Sequence, residues 1–168
     1  LLAQSGTVRT GGGEWTHYGG NAASHKYSPL DQINKDTISK LTIAWRWASP
    51  DNAVVEANPM ARPGGYADTP LMVKGVLYAV GGTRRSVVAV DARTGELKWV
   101  YGMDEGRRAE VSPRKLSGRG LSYWTDGREE RILYVTPGYR LVALDAKTGV
   151  PVQSFGTRGV IDLKENYD

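Results

Sequence analysis

Few side chains in this 168-residue sequence have the type and spacing that chemistry requires. Its two histidines, His17 and His25, stand eight residues apart. A metal centre needs three or four converging ligands, and no third candidate accompanies them. Asp126, Glu129 and Glu130 cluster in "DGREE". They carry the hard oxygen donors that calcium takes, but an exposed hairpin tip collects the same residues, and Asp104 with Glu105 reads the same way. Ser117-Gly118-Arg119-Gly120 is a small glycine loop whose backbone amides could cradle an anion. Arg119 adds a planar guanidinium fork suited to a carboxylate. Taken alone, it reads better as a strand-end arginine in a surface ion pair.

Composition narrows the classes. There is no cysteine, which removes disulfides, thiolate metal sites and the Cys-x-x-Cys-His attachment of a c-type haem. The net charge is +4 and the adjacent basic residues come only as the pairs Arg84-Arg85 and Arg107-Arg108. A nucleic-acid surface concentrates such charge with aromatics beside it, so no nucleic-acid partner is expected. No apolar run approaches the ~18 residues of a membrane-spanning helix. The opening Leu1-Leu2-Ala3 reads as the tail of an export signal. An arbitrary truncation would read the same; residues 1–13 are taken as an N-terminal tail, and a periplasmic location is expected mainly on the resemblance given below.

The elements that must position any site announce themselves by repetition. Trp45 to Trp99, Asp91 to Asp145 and Gly95 to Gly149 are each 54 residues apart, and "AVDARTGELKW" (89–99) is nearly repeated as "ALDAKTGVPVQ" (143–153). A fixed period of this size marks a repeated supersecondary unit. Within one unit, β-branched and aromatic runs at 69–73, 76–80, 86–90 and 96–101 are separated by glycine-bearing turns. The next unit reads as strands at 120–125, 131–135, 140–144 and 150–155. Connectors this short make neighbouring strands antiparallel. "LTIAWRW" (41–47) corresponds to the last strand of an earlier unit, and 28–40 reads as a loop and short helix capped by Asn34 or Asp36.

Repeated four-stranded antiparallel units describe β-propeller blades; a β-sandwich with two similar halves is the competing architecture. The expectation is an all-β, incomplete β-propeller over residues 14–168, with two four-stranded blades plus part of another. Ala89 and Ala143 are small where blades approach, Asp91 and Asp145 bond turn amides, and Gly95 and Gly149 take positive φ. Trp99 fills the gap between blades. The second copy has Gln153 instead, and Phe155, two residues on, is the candidate substitute. Trp15, Trp45, Trp47 and Trp124 read as packing residues in strand-like text.

Ala-x-Asp-x-x-Thr-Gly-x-x-x-Trp at 89–99 resembles the tryptophan docking motif of quinoprotein dehydrogenases, eight-bladed propellers that carry pyrroloquinoline quinone (PQQ). "EWTHYGGNAASHKYSPLDQINKDTISKLTIAW", "TPLMVKGVLY", "SGRGLSYW" and "SFGTRGVIDL" are similar to further family segments, in order. The resemblance implies that Arg119 binds a carboxylate of the cofactor. It also implies a glutamate two residues before Thr69-Pro70, where this sequence has Ala67 with Asp68 beside it. Asp68 is the nearer substitute, one residue out of phase. The missing cysteines exclude the adjacent-cysteine ring of the methanol and ethanol type, and the text is more similar to the membrane-type glucose dehydrogenase branch.

The resemblance further implies PQQ and calcium in the complete protein, a sugar or alcohol substrate, hydride transfer to the quinone, and a separate electron acceptor. It places the catalytic aspartate and the calcium ligands in later blades, so the segment alone is expected to be inactive and to have no catalytic or metal-binding residue. Its partners would be the remaining blades or a protein completing the arc. The other reading is a non-catalytic PQQ-like propeller module that serves as a protein-binding or structural subunit.

Overall fold

In the computed structural model, residues 13–49, 52–59, 68–81, 85–113 and 120–165 are described. Arg119, Ala67 and the Leu1-Leu2-Ala3 start fall outside them.

Two four-stranded antiparallel sheets carry the structure. The first contains β1 (Leu71–Val73), β2 (Val76–Gly81), β3 (Ser86–Asp91) and β4 (Leu97–Tyr101). The second contains β5 (Ser122–Thr125), β6 (Glu130–Val135), β7 (Arg140–Asp145) and β8 (Val160–Asp162). Each sheet runs in strand order, β1-β2-β3-β4 and β5-β6-β7-β8, as expected when short turns leave no room for a crossover. Two short helices, α1 (Asn52–Ala57) and α2 (Arg107–Glu110), lie outside the sheets.

The sheets pack face to face. Tyr78 pairs with Ala89 and Ala89 with Trp99, so these residues form one cross-strand row, with Val80 and Val87 in the next. They join Ile132, Tyr134, Val142 and Leu144 of the second sheet, and Ala146 of the turn after β7, in a common buried cluster. Fully burying each such aliphatic side chain contributes about 1.5–3 kcal/mol. Burial also covers the other face of the first sheet: five successive residues of β3, Ser86 to Val90, are buried.

The segment 41–47 is not a strand. No described residue pairs with its backbone, and a strand exists only through its partner. From 44 to 49 its side chains nevertheless alternate as a strand's would: Trp45, Trp47 and Ser49 are half-buried while Ala44, Arg46 and Ala48 are exposed. Trp45 lies on Gly95, and the Trp47 ring lies 3.4 Å from where a Cβ on Gly81 would stand. Residues 41–47 thus meet the first sheet as β4 meets the second.

The fourth strand of the second sheet also differs from the expectation of 150–155. Residues 150–152 begin it: Asp145 N–H donates to Val150 O at 2.8 Å, Val152 N–H donates to Ala143 O at 2.9 Å, and Pro151 bridges Leu144. The chain then turns away through 153–159 and returns as β8, with Val160 opposite Val142. Val100 holds the equivalent place opposite Val88. The two copies are therefore 60 residues apart at this point instead of 54. Leu144 and Pro151 are a non-hydrogen-bonded pair, so the missing N–H of Pro151 costs the ladder nothing; beyond Val152 the ladder is resumed by Gly159, whose carbonyl accepts the Ala143 amide at 2.9 Å, and by β8. Gln153 sits on this excursion, and the place that Trp99 holds in the first sheet is taken in the second by Gly159.

The short helix lies at Ile38–Lys40 as a 3-10 turn preceded by Thr37, one residue beyond Asp36 and three beyond Asn34, the expected caps. Asn34 instead accepts the Asp36 amide on its side chain at 3.0 Å, closing a local turn.

Candidate functional site

Antiparallel pairing sorts the connections onto two ends of the sheets. One end carries the tight turns Lys74-Gly75, Asp91–Gly95, Asp126-Gly127 and Asp145–Gly149. The other carries Asp68, the β2–β3 turn, the exit of β4, Gly120, the β6–β7 turn and the end of β8.

The first end joins the sheets. Asp91 Oδ1 accepts the amides of Arg93 and Thr94 at 3.0 and 3.1 Å, which holds its carboxyl below the usual carboxylate range, the Thr94 amide foremost. Asp145 Oδ1 accepts the amides of Lys147 and Thr148 at 3.0 and 2.8 Å. Gly95 and Gly149 close these turns at φ +75° and +71°. A Cβ on Gly95 would stand 2.6 Å from the Trp45 ring, and one on Gly149 would stand 2.6 Å from the Trp99 ring. Each indole also donates Nε1–H across the gap, Trp45 to Ala92 O at 3.1 Å and Trp99 to Ala146 O at 3.0 Å. Ala146 O takes a second bond from the Tyr78 hydroxyl at 3.1 Å, and burial pushes the Tyr78 pKa up. Ala89 and Ala143 are fully buried between these layers. Lys74 and Glu130 complete this end as an ion pair between the sheets at 2.5 Å, so Glu130 is not a free hairpin-tip charge. Lys74 lowers the Glu130 pKa mainly through this bond.

Asp68 and Gly120 meet at the opposite end. Asp68 Oδ2 accepts the Val80 amide at 2.6 Å, and its Oδ1 lies 3.9 Å from where a Cβ on Gly120 would stand. A cleft of about 310 Å³ opens beside it, lined by Gly120, Ser122, Arg85, Ser112, Thr136 and Tyr139 among others. Arg85, on the β2–β3 turn, is 4% exposed, and its guanidinium donates to Val135 O at 3.4 Å.

Glu105 is a correction to the sequence reading. Its side chain is wholly buried instead of lying in an exposed turn. It accepts Thr136 Oγ1–H at 2.8 Å, Gly138 N–H at 2.7 Å and Arg140 Nη1–H at 3.2 Å. Arg108, on α2, donates to Gly138 O at 2.6 Å and forks onto Asp162. That fork is the first cause holding the Asp162 carboxyl down to about 2. The sequence shows Glu105 only as a turn charge and Arg85 and Arg108 only as members of basic pairs; nothing in their spacing marks them as partners of the β6–β7 turn.

The remaining candidates do not converge. His17 Nδ1 lies 2.8 Å from Thr16 Oγ1 and His25 Nδ1 lies 3.0 Å from Asn21 Nδ2. Asp126 accepts the amides of Arg128 and Glu129, both at 2.8 Å, which makes it a turn residue. Among the described residues no three acidic or histidine side chains group as metal ligands, and no helix is long and apolar enough to cross a membrane.

A family model described as "PQQ: Glucose/ethanol/alcohol dehydrogenase, beta-propeller domain" matches residues 15–168. The chain belongs to this PQQ β-propeller family. The dehydrogenase subunit of a quinone alcohol dehydrogenase from Gluconobacter oxydans is 36% identical over 146 residues, covering 86% of this chain and 17% of the relative. The quinoprotein glucose dehydrogenase of Escherichia coli is 31% identical over 166 residues, covering 91% and 20%. Among solved structures, a quinohemoprotein alcohol dehydrogenase from Pseudomonas putida HK5 superposes with a TM-score of 0.67 at 28% identity, over 92% of this chain and 20% of the other. A europium-containing methanol dehydrogenase gives 0.64 at 27%, over 82% and 22%. The chain thus spans about a fifth of the length of these relatives. The two sheets are consecutive blades of a partial β-propeller, as expected from the repeat.

Proposed function

We propose that the protein carrying this segment is a PQQ-dependent dehydrogenase of the periplasm that oxidises a sugar or alcohol hydroxyl and passes the electrons to a separate acceptor. The family match over 15–168 carries the reading, because it takes in both sheets and the segment leading to them. Relatives of 31–36% identity include both an alcohol and a glucose dehydrogenase, so the substrate class stays at the level of a hydroxyl-bearing small molecule.

The residues present fit one edge of such a cofactor. Gly120 leaves the backbone beside Arg119 without a side chain, and among the described residues beyond its chain neighbours Asp68 is the one within 4 Å of its Cβ position. A planar tricarboxylate needs guanidinium and hydroxyl donors, and the adjoining cleft has Arg85, Ser112, Ser122 and Thr136 in its lining. We assign Arg119 the role of binding a PQQ carboxylate. Asp68 holds the β2 backbone at Val80, so it serves the wall and not the cofactor's charge. Bound PQQ would supply the two-electron acceptor. This segment contributes binding and orientation, while proton transfer and calcium ligation fall to other blades. Trp45, Trp99, Gly95, Gly149, Ala89, Ala143, Asp91 and Asp145 act as the inter-blade joint, the role of a tryptophan docking motif.

The test is dye reduction by the purified full-length protein with PQQ and calcium ions, across a panel of sugars and alcohols. Turnover with any of them, abolished by omitting PQQ, supports the reading. PQQ-independent inertness towards all of them would replace it with the non-catalytic scaffold.

A further inference from the structure

We infer that Glu105, acting through Thr136, is a positioning residue for the cofactor-facing end of these blades; the inference rests on the function proposed above.

A buried carboxylate is costly unless its oxygens are satisfied. Glu105 meets that condition with donors from one place, the β6–β7 turn: the Thr136 hydroxyl, the Gly138 amide and the Arg140 guanidinium. The fit allows no slack, since a Cβ on Gly138 would stand 2.4 Å from Glu105 Oε1. The next residue, Tyr139, holds a left-handed φ of +64°, which bulky side chains avoid. Such strain persists where surrounding bonds over-determine the backbone. Here the bonds are Tyr139 N–H to Thr136 O at 3.0 Å, Leu163 N–H to Tyr139 O at 3.0 Å, and Arg108 Nε–H to Gly138 O at 2.6 Å.

The turn so fixed is a wall of the cleft. Thr136, Pro137 and Tyr139 line it together with Gly120, Ser122 and Arg85. Glu105 itself lies in the connection that leaves β4 for β5, so a single carboxylate ties the exit of one blade to the turn of the next. This occurs at the end where Asp68 and Gly120 meet. A support of this kind sets the width of a binding edge without touching the ligand.

The experiment titrates PQQ, with calcium ions present, into the full-length apoprotein and follows tryptophan fluorescence, with thermal unfolding measured in parallel. Thr136→Val removes the hydroxyl donor, Thr136→Ser keeps it, and Glu105→Gln removes the charge. Loss of a supporting hydrogen bond of this kind weakens a site by about 10-fold or more, so Thr136→Val and Glu105→Gln are expected to raise the Kd for PQQ about 10-fold and Thr136→Ser less than about 2-fold. Should Glu105→Gln not fold, Thr136→Val decides. If the variants melt earlier but bind PQQ as the wild type does, Glu105 is only a stabilising residue and the inference is wrong. If the wild type itself takes up no PQQ, the proposed function falls and this inference with it.

Discussion

Replacing Gly149 with alanine tests the joint between the blades most directly. The added methyl would stand 2.6 Å from Cδ2 and Cε3 of Trp99, at a φ of +71°. Two costs are therefore expected. The left-handed backbone costs an alanine about 1–2 kcal/mol. In addition, the ring must move, which strains the Nε1 bond to Ala146 O and opens the buried row, with an upper bound of about 3–5 kcal/mol set by removing such a ring altogether. Gly75 provides the control: its φ is +78° and, among the described residues beyond its chain neighbours, no atom lies within 4 Å of its Cβ position. Gly75→Ala should therefore cost only the backbone term, about 1–2 kcal/mol. Urea unfolding of the full-length protein should show Gly149→Ala exceeding Gly75→Ala by about 2–3 kcal/mol, part of the ring's full value. In a Trp99→Ala background the excess should vanish, since the collision partner is gone. Equal costs for the two glycine variants, or an excess that survives in the Trp99→Ala background, would refute the joint.

Three further outcomes follow from the same geometry. Tyr78→Phe should cost about 1 kcal/mol in the same unfolding assay, because Ala146 O keeps the Trp99 bond and no acceptor is orphaned. Asp162 has a lowered folded-state pKa of about 2, so its contribution is present above the ordinary carboxylate pKa and is lost as pH falls towards 2. Asp162→Asn should flatten the acid limb of a stability–pH profile between about pH 4 and 2 and leave the alkaline limb unchanged. Phe155 is half-buried on the 153–159 excursion; if it stands in for the missing indole, Phe155→Ala costs about 1–3 kcal/mol, and unchanged unfolding denies it that role.

The strands were legible because β-branched runs between glycine turns are local signals, and all of β2, β3, β6 and β7 lie within a residue of their expected bounds. The joints were legible because small, acidic, glycine and indole residues at fixed spacing each had a stated mechanical role. Strand 150–155 misled because the 54-residue period hid an excursion that only pairing reveals. The segment 41–47 misled in the opposite way: it has a strand's alternation but no partner among the described residues. Glu105 read with Asp104 as an exposed turn charge because an acidic side chain carries no mark of burial; its three donors come from residues 136–140, more than thirty positions away. Arg119 and Asp68 were singled out by resemblance, and their spacing alone would have left them as surface charges.

The joint occurs twice with nearly the same dimensions, Trp45 on Gly95 and Trp99 on Gly149. The tilt from each sheet to its successor is then dictated by the thickness of one aromatic plane seated on a bare backbone. Curvature becomes a local quantity, copied at each step like the wedge-shaped stones of an arch. Among the described residues, the excursion at 153–159 interrupts that copying. A molecule assembled this way can respace one junction, and with it the width of whatever lies at the centre, while every other junction keeps its shape.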